Sequence, residues 1–291
     1  RGLGDVYKRQ EDIHENYLTS LDKWILNKMN LLIKDVDNKY DIFEFGEVAR
    51  AIYNFTWDDF ASNYLEMTKV NFANSDSQLK INTCSVLTKV LTTILKLLHP
   101  FMPFVTEEIY QNFYNEAIMV SKWPQPFDLK LDKGLIENTD KMFEIITAVR
   151  TIRNEKNVPM SKPIKISLET SNEDLRTYLL AHREYLKKFI NYEELSIAKN
   201  IDKLDAIVKV LDDLNIVILL KELINIDEEI VKLKSKQDKL KKEVARSEGM
   251  LNNQNFLQKA PNSKIIEEKN KLSSYLEQLK EVNELLLELD K

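Results

Sequence analysis

Binding of a polyanion is the chemistry that the residue types and spacing of this sequence favour most clearly. Between Lys232 and Lys264 stand nine basic residues, Lys232, Lys234, Lys236, Lys239, Lys241, Lys242, Arg246, Lys259 and Lys264. Only Asp238, Glu243 and Glu248 oppose them, an excess of 6 positive charges in a chain whose net charge is −5. Lys232, Lys236, Lys239 and Arg246 are spaced to form one stripe along a helix, with Lys242 beside it and Lys259 in the break that follows. Charge gathered in this way suits contacts with phosphates. It equally suits a solvated helix face whose lysines pair with glutamates across a hairpin, and composition leaves both readings open. Arg150 and Arg153 are three residues apart and so neighbours on a helix; they too could reach a phosphate or simply pair with carboxylates.

Other chemistries are poorly supported. Of the 5 glycines, Gly2 and Gly4 lie in the first four residues, which leaves no glycine-rich loop to cradle a nucleotide. A single cysteine, Cys84, excludes a disulfide framework and a cysteine zinc site, and is expected to serve packing. His14, His99 and His182 form no metal-ligand pair, and His99, before Pro100, reads as a hydrogen-bonding residue at a helix end. No Ser/His/Asp set or carboxylate pair stands out for catalysis. Trp24, Trp57 and Tyr64 fall on apolar helix faces and are expected in the core. No apolar run approaches 18 residues and no signal peptide is visible, so neither a membrane partner nor export is expected and the location reads as cytoplasmic.

The elements that must position these residues are marked off by prolines at 100/103, 124/126, 159/163 and 261. Segment 1–19 is unmatched; within it, Arg1–Gln10 lacks apolar periodicity and is set aside as a linker or cloning scar. From 20 to 158 the apolar period is helical. Ser20 can cap a helix with Leu21, Ile25, Met29, Leu32 and Val36 inward, and Asp41 a second that runs past Tyr53, Trp57 and Phe60. Further helices carry Val86, Val90, Ile94 and Leu97, then Thr106–Glu107–Glu108, then Phe143, Ile146, Val149 and Ile152. Several helices with short connections argue an antiparallel bundle. From 159 to 225 the period of Ile164, Ile166 and Leu168 is that of a strand. A helix opening at Asn172 and strands near 195–197, 207–210 and 216–220 complete a small α+β unit, marginal by itself. From 226 to 291 the period is seven: Ile226, Ile230, Leu233, Gln237, Leu240, Val244, Ser247 and Leu251, then Ile265, Leu272, Tyr275, Leu279, Val282, Leu286 and Leu289. The fold class is mainly α: a helical bundle, a small α+β subdomain and a C-terminal antiparallel coiled-coil hairpin.

The joints also resemble a known family. Leu21–Asp22–Lys23–Trp24–Ile25–Leu26, Phe55–Thr56–Trp57–Asp58–Asp59–Phe60, Leu98–His99–Pro100–Phe101–Met102–Pro103 and Val149–Arg150–Thr151–Ile152–Arg153 are similar to the anticodon-binding bundle of class I synthetases for branched aliphatic amino acids. The hairpin, with Phe256–Leu257–Gln258–Lys259–Ala260–Pro261 in its turn, resembles the valyl-tRNA synthetases in particular. An isoleucyl enzyme is the alternative within the class, disfavoured because that family typically ends in zinc-binding cysteines. A coiled-coil interaction protein without RNA is the alternative outside it. Pro159–Met160–Ser161–Lys162–Pro163 shares Met-Ser-Lys with the Lys-Met-Ser-Lys-Ser loop of the class but lacks its first lysine and last serine, and is rejected as that loop.

The resemblance implies ATP- and magnesium-dependent joining of valine to tRNA-Val by the whole enzyme, with editing of mischarged threonine. Editing is needed because a hydrophobic pocket rejects a hydroxyl isostere only weakly, a limit for which the valyl enzymes are the standard example. It also implies catalytic and editing domains upstream of this region in the same chain. Neither ATP signature occurs in these residues, so no catalytic residue and no cofactor are expected here. The chain itself is expected to be a monomer that holds tRNA, with Lys232, Lys236, Lys239, Lys242, Arg246, Lys259, Arg150 and Arg153 as the candidate contacts.

Overall fold

The computed structural model describes residues 13–73, 75–223, 226–253 and 261–289. The segment Arg1–Gln10 therefore lies outside the described residues.

Helix α1 (Ser20–Asp41) begins one residue earlier than its sequence suggests. Thr19 is the cap: its hydroxyl accepts from the Asp22 backbone N–H at 3.1 Å, and the Asp22 carboxylate accepts from the Thr19 N–H at 2.9 Å. This reciprocal pair satisfies two of the donors that a helix start leaves free. Asp41 closes α1 rather than opening α2 (Phe45–Asn54). A π-helical segment, Phe55–Tyr64, joins α2 to α3 (Leu65–Ala73), and α4 (Ser77–Leu98), capped by the Asp76 carboxylate, runs back along α1. A short α5 (Pro103–Tyr110) starts on its proline, and α6 (Lys133–Glu155) closes the bundle against α1.

The expected apolar faces of three helices are buried: Leu21, Ile25, Met29, Leu32 and Val36 on α1, Val86, Val90, Ile94 and Leu97 on α4, and Phe143, Ile146, Val149 and Ile152 on α6. Trp24 is buried too, its indole N–H donating to Asp140 at 2.9 Å. His99 meets the Thr106 hydroxyl at 2.8 Å across the α4–α5 joint. Among the described residues α4 alone is long and apolar enough to cross a membrane by length and composition, with mean hydropathy 1.3 over its most apolar window. In the fold it is a bundle helix with half of that window buried.

The α+β unit is a four-stranded sheet in the order β2–β1–β4–β3, built from β1 (Ile164–Glu169), β2 (Tyr192–Ala198), β3 (Ala206–Leu211) and β4 (Leu214–Leu219). Strands β1 and β2 are parallel, which requires a crossover. That crossover is α7 (Glu173–Ala181) and α8 (Arg183–Ile190), two helices where the sequence suggested one, divided at His182. The β1–β4 and β4–β3 pairs are antiparallel. Ile164, Ile166, Leu168, Leu179, Leu186 and Ile216 belong to the same buried cluster as Trp24 and Val149. The small unit thus shares its core with the bundle, which offsets its small size. After the short α9 (Leu220–Leu223) come α10 (Ile226–Leu251) and α11 (Asn262–Leu289), packed along each other.

Candidate nucleic-acid interface

The α10–α11 pair is antiparallel. Gln237 Nε2 donates to Asn283 Oδ1 at 2.6 Å, and Ser247 Oγ donates to Glu268 Oε1 at 2.7 Å, so the partner number falls as the α10 number rises. Leu240, Val244, Ser247 and Val282 are buried between the helices, and Leu233, Leu251, Ile265, Leu272, Tyr275, Leu279 and Leu286 are half-buried along the same line. The 4-and-3 spacing therefore does form an apolar seam, as knobs-into-holes packing requires.

The basic residues lie off that seam. Lys236, Lys239, Lys242 and Arg246 are exposed on α10. Arg246 faces Glu243 of its own helix at 3.6 Å, whereas no ion pair engages Lys236, Lys239 or Lys242 among the described residues. Pairing of these lysines with glutamates across the hairpin, the alternative reading of the stripe, is thus not seen for the described side chains. Lys232 falls within α10, its side chain outside those described, and Lys259 lies outside the described residues.

Arg150 and Arg153 separate completely. Arg153 is 0% exposed. Its guanidinium donates to the backbone carbonyls of Pro159 and Lys162 at 2.9 and 2.8 Å, and of Ile190 and Asn191 at 2.8 and 3.0 Å. Asn191, at φ 45°, donates from its side chain to Met160 and Ser161 at 2.8 and 3.0 Å. All four carbonyls of the 159–162 turn are thus held by two side chains. Arg153 is a buried fastener between α6, that turn and α8, with no route to a phosphate, and the expectation of a contact there is corrected. The error arose because an arginine near an apolar stripe looks the same in sequence whether its fork meets solvent or backbone carbonyls. Arg150 remains exposed, its Nε–H donating to the Phe189 carbonyl at 3.2 Å and its guanidinium lying 5.3 Å from the centre of the Phe189 ring.

Trp57 also departs from its expected place. It is 62% exposed, as is Tyr53. The cause is the π-helical segment. Buried positions step from Ile52 to Phe55, then to Phe60 and Tyr64, and the step of five reflects the wider π turn, which puts Trp57 out of phase with Phe60 and Tyr64 and leaves it on the outward face of Tyr53. Tyr64 stays fully buried and donates its hydroxyl to the Asp22 carboxylate at 2.5 Å. Burial raises the Asp22 pKa, and the bonds from Tyr64 and Thr19 oppose that rise. No group of three or more His, Cys, Asp or Glu able to hold a metal is found among the described residues.

Comparison with known proteins agrees with this geometry. Residues 22–168 match the family described as "Anticodon-binding domain of tRNA ligase", and residues 225–290 match "Valyl tRNA synthetase tRNA binding arm". The chain is 41% identical to the valine–tRNA ligase of Bacillus subtilis (strain 168) over 271 residues, which is 92% of this chain and 31% of that protein. Identity is 41% to the valine–tRNA ligase of Geobacillus stearothermophilus over 93% of this chain, and 38% to that of Staphylococcus carnosus (strain TM300) over 96%. The chain spans about a third of the length of these relatives and corresponds to their C-terminal part. These relatives are valyl enzymes, which sets aside both the isoleucyl and the RNA-free coiled-coil alternatives. With an anticodon-binding bundle at 22–168 and a tRNA-binding arm at 225–290, the chain belongs to the valine–tRNA ligase family.

Proposed function

We propose that this chain supplies RNA affinity and geometry to a ligase that joins valine to tRNA-Val at the expense of ATP. The observation that carries this reading is the exposed row of Lys236, Lys239 and Lys242 on a hairpin whose seam leaves them free to meet phosphates. The bundle, 20–158, supports the anticodon end of the tRNA. The α+β unit, 159–225, braces it through their shared core, and the arm, 226–291, presents lysines to the backbone. Such contacts position an RNA without reading its sequence. ATP with magnesium, aminoacylation and the editing of threonine belong to catalytic and editing domains upstream in the full-length chain. The protein acts as a monomer in the cytoplasm, without a membrane partner. Filter binding against tRNA-Val and two non-cognate tRNAs tests the reading. We expect saturable, salt-sensitive binding and, from these 291 residues alone, no valine-dependent ATP–pyrophosphate exchange. Absence of tRNA binding at low salt would sink it.

A further inference from the structure

Of the three tryptophans, two have their indole N–H engaged, Trp24 by Asp140 at 2.9 Å and Trp123 by Asp37 at 2.8 Å. The Trp57 indole N–H has no hydrogen-bond partner among the described residues, and the residue is 62% exposed. Its ring is parallel to that of Tyr53, one turn earlier, with an interplanar angle of 1° and centroids 6.4 Å apart. Arg50, exposed and paired with Glu47 at 3.4 Å, continues this face in the other direction. A groove of about 440 Å³ begins at Trp57 and is lined by Ala61, Ser62, Glu66, Arg150 and Phe189. In it Arg150 is fixed through its Nε–H on the Phe189 carbonyl, at 3.2 Å, and no ion pair occupies its outer nitrogens among the described residues.

From this arrangement we infer that Tyr53, Trp57 and Arg150 form a seat for one unpaired nucleotide of the bound tRNA: the base stacks on the aromatic face and the adjoining phosphate meets the Arg150 fork. The inference rests on the tRNA-binding reading and adds to it a site outside the arm. Stacking tolerates any base because every base has a π face, and an arginine beside it supplies the charge that a polyphosphate chain needs. Ser62 and Glu66 at the rim offer polar atoms to a base edge. Fixing Arg150 by a backbone carbonyl before RNA arrives lowers the ordering cost of the contact. The wide turn of the π segment brings Phe60 and Tyr64 into the core, while Trp57 keeps the outward face that Tyr53 already holds on α2.

The test compares the full-length protein with Trp57→Ala, Trp57→Phe and Arg150→Gln variants. The RNA probes are tRNA-Val transcript, single-stranded hexaadenylate and a blunt RNA duplex of about 20 base pairs. Loss of one stacked base weakens binding by roughly 5- to 100-fold. Trp57→Ala is expected to show that loss with tRNA and hexaadenylate and none with the duplex, while Trp57→Phe retains most of the affinity. Arg150→Gln should weaken the same two probes and lower the salt slope by somewhat under one unit. Unchanged affinity of Trp57→Ala for both unpaired probes, with wild type still binding tRNA, overturns the seat and leaves the arm contact standing. Failure of wild type to bind tRNA removes both. If acrylamide quenching, taken as the difference between wild type and Trp57→Phe, shows Trp57 shielded before RNA is added, this face is covered by protein and the seat is likewise refuted.

Discussion

Arg153 gives its fork to the carbonyls of Pro159, Lys162, Ile190 and Asn191; the first also accepts from the Lys162 N–H at 3.1 Å and the last from the Ile164 N–H at 3.4 Å, so Met in its place would strip the Lys162 and Ile190 carbonyls of the donors seen among the described residues. Each buried group left unsatisfied costs about 1–3 kcal/mol. Arg153→Met should therefore destabilise the protein by several kcal/mol in urea unfolding, whereas Arg150→Met should change stability by about 0.5 kcal/mol, as exposed sites generally do. Equal effects of the two would contradict the assignment. Lys at 153 should not rescue, since an ammonium has three donors against four bonds and no planar fork. Tyr64 allows a second test. Its hydroxyl stabilises the ionised form of Asp22, whose pKa burial holds above the ordinary 3.8. A carboxyl raised in the folded state favours folding when protonated, so its contribution declines as pH rises above that value. Tyr64→Phe raises the folded pKa further. It should cost about 1.5–3 kcal/mol near neutral pH, the value of a hydrogen bond to a charged group, and clearly less near pH 4. A penalty independent of pH would mean that Asp22 does not depend on this bond.

At the scale of elements, the hairpin depends on a narrow seam. Leu240→Asp places a charge between α10 and α11 with no partner, at a local cost of several kcal/mol. Limited proteolysis should then cut within 226–291 while the bundle stays resistant, because its core is made of other residues. Unaltered resistance of the arm would show that the seam is wrongly drawn. The sequence made this element legible because steps of 4 and 3 persist through both helices, and no other regular structure uses them. The strands were legible for a similar reason, the alternation of Ile164, Ile166 and Leu168 with polar residues. Phe55–Tyr64 was not legible in detail. Reading at 3.6 residues per turn places Tyr53, Trp57 and Phe60 on one face, and only the step of five between Phe55 and Phe60 could have betrayed the π turn. Arg153 was opaque for another reason: its partners are carbonyls brought together by folding, from residues up to 38 positions away. The exposed lysines of α10 were visible as charge, but whether they faced the seam, a glutamate or solvent required the packed pair of helices.

For the whole molecule, charge and core are distributed unequally. One buried cluster joins the bundle to the sheet, so these share a single core, while the arm has its own seam and carries the positive excess of a chain that is otherwise acidic. This division predicts that arm and body contribute separately to RNA affinity, the arm through phosphates and hence through salt. The most direct measurement is the dependence of log K on log salt for tRNA-Val, comparing wild type with a triple Lys236→Gln, Lys239→Gln, Lys242→Gln variant of equal helicity. Each neutralised phosphate contributes somewhat under one unit of slope. The variant should bind more weakly, with a slope shallower by about two units and with its preference among tRNAs unchanged. Equal affinity and equal slope in a folded variant would contradict the account, leaving the α10 lysines as a solvated face.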